Sequence, residues 1–397
     1  MKYLILFFLI LSTGFDVLAI PTPIGAIRLS FFLFFFVFLY LLFAKKVMLS
    51  FVELLFLIPL VMAMLFSVYH SFSEIRSLSY IVWFVSCYLL YFNVIKFLVN
   101  DVEPNYILRL FRDLGRFQIL VCIFMRLVGI ERPALLFYEP SYMVLALLPY
   151  IYFSLMQFKD GRFYNKIDLI LILLLIVVTM SANLLLAIIL VIVVGYLRLS
   201  LKSFFYMAVL FCFSYYFSYW YYHNNSDLLA FTFKNLHESP NFINTVLERT
   251  GNRWPRIMIG IDVVKDFFPN GIGLGTFSDF SVNYNINKDY AAGLPWNEPR
   301  GFPASNIFVE LLAEGGFFVL IFFLFFICLL MFMPIKKPRN VAFVSHWRKM
   351  IFIFLLLLLI ESSLLRPYFW AYLGILSSFL ALPNKRFQES LNEKNSY

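Results

Sequence analysis

Glu248-Arg-Thr-Gly-Asn-Arg-Trp-Pro-Arg256, then Ile257-Met-Ile-Gly-Ile-Asp-Val-Val-Lys-Asp-Phe-Phe-Pro269, then Asn270-Gly-Ile-Gly-Leu-Gly-Thr-Phe277 is the stretch around which the chain is organised. It lies within a longer polar segment, 221–304, flanked by blocks of almost unbroken hydrocarbon. Arg249, Arg253, Arg256, Asp262 and Asp266 keep this stretch out of a bilayer core, where one central Arg or Asp costs about 2.5–3.5 kcal/mol. The blocks on either side carry almost no such residues. Hydrophobic residues make up 62% of the chain and charged residues 14%, against about 25% charged in an ordinary globular protein. The mean hydropathy of +0.84 agrees. A soluble domain is excluded.

At roughly 20 apolar residues per span, windows at 3–20, 24–43, 50–66, 78–98, 114–130, 142–158, 167–181, 184–199, 203–220, 305–333, 350–365 and 367–382 are candidate spans. The expected fold is an all-α, polytopic integral membrane protein with about 12 transmembrane helices and one large external loop. Residues 1–220 would carry spans one to nine, 221–304 the loop, 305–382 spans ten to twelve, and 383–397 a cytoplasmic tail. The first window, with Lys2 and Val17-Leu-Ala19, has the look of a secretory signal. Another span follows at once, so it is expected to stay as the first span.

Charge fixes the sides. With the N-terminus inside, Lys45-Lys46, Arg109, Arg112, Arg116, Lys336-Lys337 and Arg348-Lys349 all fall inside, and the short outer loops receive only Arg28, Arg76, Arg132 and Arg366. That is the positive-inside bias. It holds only if 167–199 is two spans, broken at Ser181-Ala-Asn183. Both termini are then cytoplasmic and the loop is external. The net charge of +9 is accounted for by orientation, and no nucleic acid is implied. Cys87, Cys122, Cys212 and Cys328 lie far apart in apolar runs and read as buried hydrophobes. No metal-ligand spacing appears; His223 and His237 stand alone in the loop.

Arg249, Arg253 and Arg256 recur at i, i+4 and i+7. Pro255 belongs in a first turn rather than a helix interior, so a helix is expected from about Arg253 to about Phe267. Two readings of its arginines stand: a diphosphate site at a helix N-terminus, or an interfacial helix paired with Glu248, Asp262 or lipid headgroups. The glycines of 271–275 lack the strand and the Lys of a phosphate-cradling loop and read as a tight turn packed against the membrane. Glu310 and Glu314, at i and i+4, are either a paired-carboxylate site or capping and headgroup contacts. Arg126, inside the fifth span, is a functional candidate by its cost. Glu139, in Phe137-Tyr-Glu-Pro-Ser-Tyr142, is either a general base or the partner of Arg126 or Arg132.

At these residues the chain resembles the O-antigen polymerase and ligase superfamily of bacterial membrane glycosyltransferases. Arg253, the helix to Pro269 and Gly271-Ile-Gly-Leu-Gly-Thr-Phe277 are similar to one family motif, and Ser305-Asn306-Ile-Phe-Val-Glu310-Leu-Leu-Ala-Glu314-Gly315 to another. Phe137-Tyr-Glu139-Pro-Ser141 is similar to a third. The resemblance implies a transferase of undecaprenyl-diphosphate-linked oligosaccharide at the outer face of the inner membrane. It implies no nucleotide sugar, metal or other cofactor. Arg253 and Arg256 would act on the donor's diphosphate, and Glu139, Glu310 or Glu314 would orient or deprotonate the acceptor hydroxyl. Arg249, Arg126, Arg132, Asn306, Glu310 and Glu314 would bind substrate. The partners would be lipid-linked donor and acceptor, membrane lipid, a chain-length regulator and a flippase. Two departures, Ser305 where ligases carry a His and Ala182 where a Ser-Arg pair is usual, favour a repeat-unit polymerase over a ligase to lipid A-core. A flippase or other transporter is the alternative from another class, and an assembly scaffold a third.

Overall fold

The structure is a computed structural model and describes residues 2–22, 25–44, 49–160, 166–179, 181–196, 212, 215–224, 234, 237–238, 253–288, 290, 299–362 and 364–381. Much of the 221–304 segment, including Arg249, and most of the 203–220 window lie outside the described residues.

The described chain is mostly helical: α1 (Lys2–Ser12), α2 (Leu29–Phe43), α3 (Phe51–Tyr69), α4 (Glu74–Ser86) running through a π-turn into α5 (Asn93–Val99), α6 (Pro104–Leu127) and α7 (Pro140–Asp160). Then come α8 (Lys166–Thr179), α9 (Ala182–Tyr196), α10 (Arg253–Phe267), α11 (Phe277–Asn283), α12 (Ile307–Phe332), α13 (Val341–Leu357) and α14 (Pro367–Ser378). A small antiparallel hairpin, β1 (Ala19–Thr22) with β2 (Gly25–Arg28), pairs Ala19 with Arg28. It departs from the all-helical expectation because two prolines and a glycine stand in residues 19–28, where the first two apolar windows meet.

Among the described residues, four helices are long and apolar enough to cross a membrane: Phe51–Tyr69, Glu74–Val99, Ile307–Phe332 and Pro338–Leu357. Several other apolar windows hold shorter described helices, such as the 15 residues of α2, which the hairpin precedes, and the 15 of α9. The run 167–199 is divided into α8 and α9. Large side chains point outward along these helices, Phe36 at 65%, Phe66 at 55% and Phe332 at 83% exposure; an apolar coat of this kind needs a hydrocarbon solvent. Cys87 and Cys122 are buried as expected, but Cys212 and Cys328 are exposed. Cys328 stands on α12 in the same run as the exposed Phe325 and Phe332.

Polar side chains gather at the two ends of the bundle. At one end Lys96 meets the fully buried Glu53 at 2.6 Å, and Arg116 meets Asp168 at 2.8 Å. At the other lie the β-hairpin, the turn after α3, the start of α10 and the loop between α13 and α14. There Arg28 and Arg366 share the buried Asp16, at 2.8 and 2.7 Å.

α12 is broken. Gly316 has φ 77°, ψ −175°, and the glycine turn after α10 threads into the break. Ile272 N and Gly273 N donate to the carbonyls of Ala313 and Glu314 (2.9 and 2.8 Å), and Phe317 N donates to Pro269 O at 2.8 Å. A Cβ at Gly316 would stand 2.2 Å from Pro269 O, and one at Gly271 2.4 Å from Glu314 O. The glycines are there for backbone-to-backbone contact. Helix-interior groups freed by the break are thus satisfied by the loop.

Candidate functional site

The site is built where α10 starts. Arg253 is its first residue, and Pro255 lies in its first turn, where a missing N–H costs nothing. α10 lies close along α12 because Gly260 has no side chain: a Cβ there would meet Val309 Cγ1 at 2.6 Å. This contact brings the arginines up against the loop between α13 and α14.

Arg253 Nη2 donates to Glu361 Oε1 at 2.8 Å, and its Nη1 stands 3.5 Å from Asn183 Oδ1. Asn183 Nδ2 donates to the same Glu361 oxygen at 2.6 Å. Glu361 and Asn183 are each 5% exposed. One carboxylate therefore takes a charge-assisted bond and an amide bond at once, which fixes the plane of the Arg253 guanidinium. Arg256 lies one turn on. Its guanidinium stacks over the Phe302 ring at 5.6 Å, and its Nε is buried without a hydrogen-bond partner among the described residues. Burial first, and the neighbouring Arg253 second, hold its pKa below the ordinary guanidinium value. A desolvated, under-satisfied cation next to a second cation calls for an anion.

Carboxylates stand around the pair. Glu139, exposed, precedes α7 and takes a hydrogen bond from Ser141 Oγ at 3.1 Å; it lies within electrostatic range of Glu361. Glu310 is buried and accepts from Ser362 Oγ at 2.6 Å, within electrostatic range of Arg256. Tyr142 faces both groups of charges, with the Arg366 guanidinium 4.0 Å from its ring.

The structure brings Arg253, Arg256, Glu139 and Glu310 to one place. Two other expected residues, Glu314 and Asn306, hold backbone groups of the scaffold. Glu314 accepts from the backbone N–H groups of Gly275 (2.7 Å) and Phe277 (2.9 Å), and so holds the glycine turn and the start of α11. Asn306 caps α12, its Oδ1 accepting from Phe308 N and Val309 N. Arg126 donates to the backbone oxygen of Glu131. Arg132 is exposed beyond it, and neither makes a described contact with the Arg253 cluster. Ser305 is buried, with φ 59°.

Glu361 and Asn183 were not singled out from the sequence. A signal for Glu361 was present: it is an ionisable residue closing the uncharged run Ile351–Ile360. Asn183 appeared only as the break between two apolar runs.

Residues 168–324 match the family model for O-antigen ligase, in keeping with the O-antigen ligase and polymerase superfamily. The matched region contains Asn183, Arg253, Arg256 and Glu310 and stops short of Glu361. Members of this family are membrane glycosyltransferase-like enzymes, acting on lipid-linked oligosaccharides. The match supports a function of ligase or polymerase type without separating the two. No curated protein matches the chain.

Proposed function

We propose that the protein polymerises lipid-linked oligosaccharide repeat units, transferring the chain from one undecaprenyl-diphosphate carrier onto a hydroxyl of another at the outer face of the inner membrane. The observation that carries this is the pair of guanidiniums at the start of α10, one clamped by Glu361 and Asn183 and the other desolvated with a spare donor. The pair suits a diphosphate leaving group. When the bond between the anomeric carbon and the phosphate oxygen breaks, the electron pair stays with the diphosphate. Arg253 and Arg256 meet the charge that develops there. Fixed donors of this kind contribute about 10²–10³-fold each.

The new bond forms from an acceptor hydroxyl oxygen, whose proton goes to a carboxylate. Glu139 fits this role because it is exposed beside the cluster, whereas Glu310 is buried against Ser362. Polymerase is favoured over ligase by Ser305: where the ligases of this superfamily carry a His, this chain has a buried hydroxyl. In this reading about twelve helices cross the inner membrane with both termini cytoplasmic. The end of the bundle that holds Arg253 then faces outward, and a chain-length regulator and a flippase are the expected partners.

The test is a gel of surface polysaccharide from cells lacking the gene, complemented with wild type or Arg253→Ala. A polymerase leaves lipid A-core with a single repeat unit in the deletion and in Arg253→Ala, and a ladder with wild type. Lipid-linked polymer accumulating outside with a bare core identifies a ligase instead. Repeat units trapped inside would mean a flippase and overturn the reading.

A further inference from the structure

We propose that a second, apolar site next to the loop that carries Glu139 holds the isoprenoid chain of the acceptor carrier, with its diphosphate at Arg126 and Arg132. This rests on the reading of the protein as a transferase of lipid-linked oligosaccharides. The site is a cavity of about 340 Å³ between the end of α1, the outer half of α6 and the loop ahead of α7. Its volume falls in the range of about 300–1,000 Å³ typical of small-molecule sites. Gln118 is the one polar side chain in a lining otherwise of Phe, Leu, Val, Met and Gly. Phe117 and Leu136 on its wall are 48% and 36% exposed, so the cavity opens sideways, towards lipid.

Its position argues for a substrate rather than a bulk lipid. The roof, Leu135-Leu136-Phe137, runs directly into Tyr138 and Glu139. Val17 N donates to Leu136 O at 2.9 Å, joining the roof to the segment that carries Asp16. Arg126 follows the lining residue Met125 and holds the backbone of Glu131, tying the end of α6 to the loop that leads to this roof, on which Arg132 is exposed. A hydrocarbon cavity whose lining residues Met125 and Leu135 stand one and three positions from Arg126 and Arg132 matches an amphiphile with an anionic head. A chain lying here delivers its head group beside Glu139, on the acceptor's side of the reaction. It also gives Arg126 and Arg132 a task, although they stand apart from the donor cluster.

The experiment uses the full chain in phosphatidylcholine nanodiscs and a diazirine-bearing isoprenoid diphosphate without sugar, with labelled positions read by mass spectrometry. Label is expected in 117–125 and 135–137, displaced by unlabelled isoprenoid diphosphate and not by phosphatidylglycerol. Val121→Trp, which fills the cavity, is expected to lower that label about tenfold, and Arg132→Glu, at an exposed position, about fivefold. Label near Arg253 persists in both variants and reports a folded protein. Label confined to the Arg253 region, equal displacement by phosphatidylglycerol, or no response to Val121→Trp overturns the cavity proposal and leaves the transferase reading standing. No isoprenoid-specific label anywhere overturns both.

Discussion

Removing Glu361 is the most informative single perturbation, because both Asn183 and Arg253 depend on one side chain. In Glu361→Ala the amide of Asn183, 5% exposed, loses the acceptor it meets at 2.6 Å, a loss of about 1–3 kcal/mol. The Arg253 pair is lost as well. A fully buried pair would cost about 3–5 kcal/mol when broken, but the Arg253 side chain is 30% exposed, so about 1–2 kcal/mol is the better figure after solvent screening. The total, about 2–5 kcal/mol, should appear as a lower unfolding temperature of the detergent-solubilised protein. Glu361→Gln keeps an oxygen for one donor and should lose about half as much.

Activity should fall further than stability. Without Glu361, Arg253 is free to swing away from Arg256, and a displacement of about 1 Å at a positioned group costs roughly 10²-fold. The assay is polymer formation from purified lipid-linked repeat units, with the surface ladder in complemented cells as the second readout. Glu361→Gln should be folded and yet nearly inactive. A folded Glu361→Ala protein with wild-type polymer yield would refute the positioning argument.

Three further outcomes follow from the same geometry. Glu314→Ala strands the N–H groups of Gly275 and Phe277 and should cost about 2–4 kcal/mol, with proteolytic cleavage appearing in 269–277; an uncleaved turn would contradict the anchoring role. Gly316→Ala combines a left-handed φ with a Cβ 2.2 Å from Pro269 O and should abolish folded protein. Gly129→Ala, with φ +98° and nothing within 4 Å, should cost only the left-handed strain of about 1–2 kcal/mol, and equal yields of the two would refute the backbone-packing account of α12. The first segment should be retained in the working protein, because Asp16 holds both Arg28 and Arg366; an intact mass lacking residues 1–19 would contradict this.

What the sequence made legible was local. A Trp-Pro pair behind an arginine marked the start of α10, and the helix runs Arg253–Phe267 as expected because Pro255 tolerates a first turn and little else. Ser181-Ala-Asn183 marked a real break because it interrupts the hydrocarbon run. The clamp on Arg253 was hidden because its members lie 70 and 108 positions away, and no periodicity links them. Glu314 read as a substrate ligand or a capping residue. Its partners are two backbone N–H groups of a glycine turn, and a backbone donor leaves no trace in side-chain pattern. Window lengths also overstated helix lengths: the stretch 24–43 looked like one span, but Gly25–Arg28 forms a strand and the helix begins at Leu29.

The central claim is that Arg253 and Arg256 hold a lipid-linked diphosphate in a polymerase. The most direct measurement is polymer formation by the purified protein from undecaprenyl-diphosphate-linked repeat units, without nucleotide sugar, comparing wild type with Arg253→Ala and Arg256→Ala. The account predicts polymer from wild type and a loss of about 10²-fold or more in each variant, with both variants folded. Polymer formed at the wild-type rate by either folded variant would contradict it.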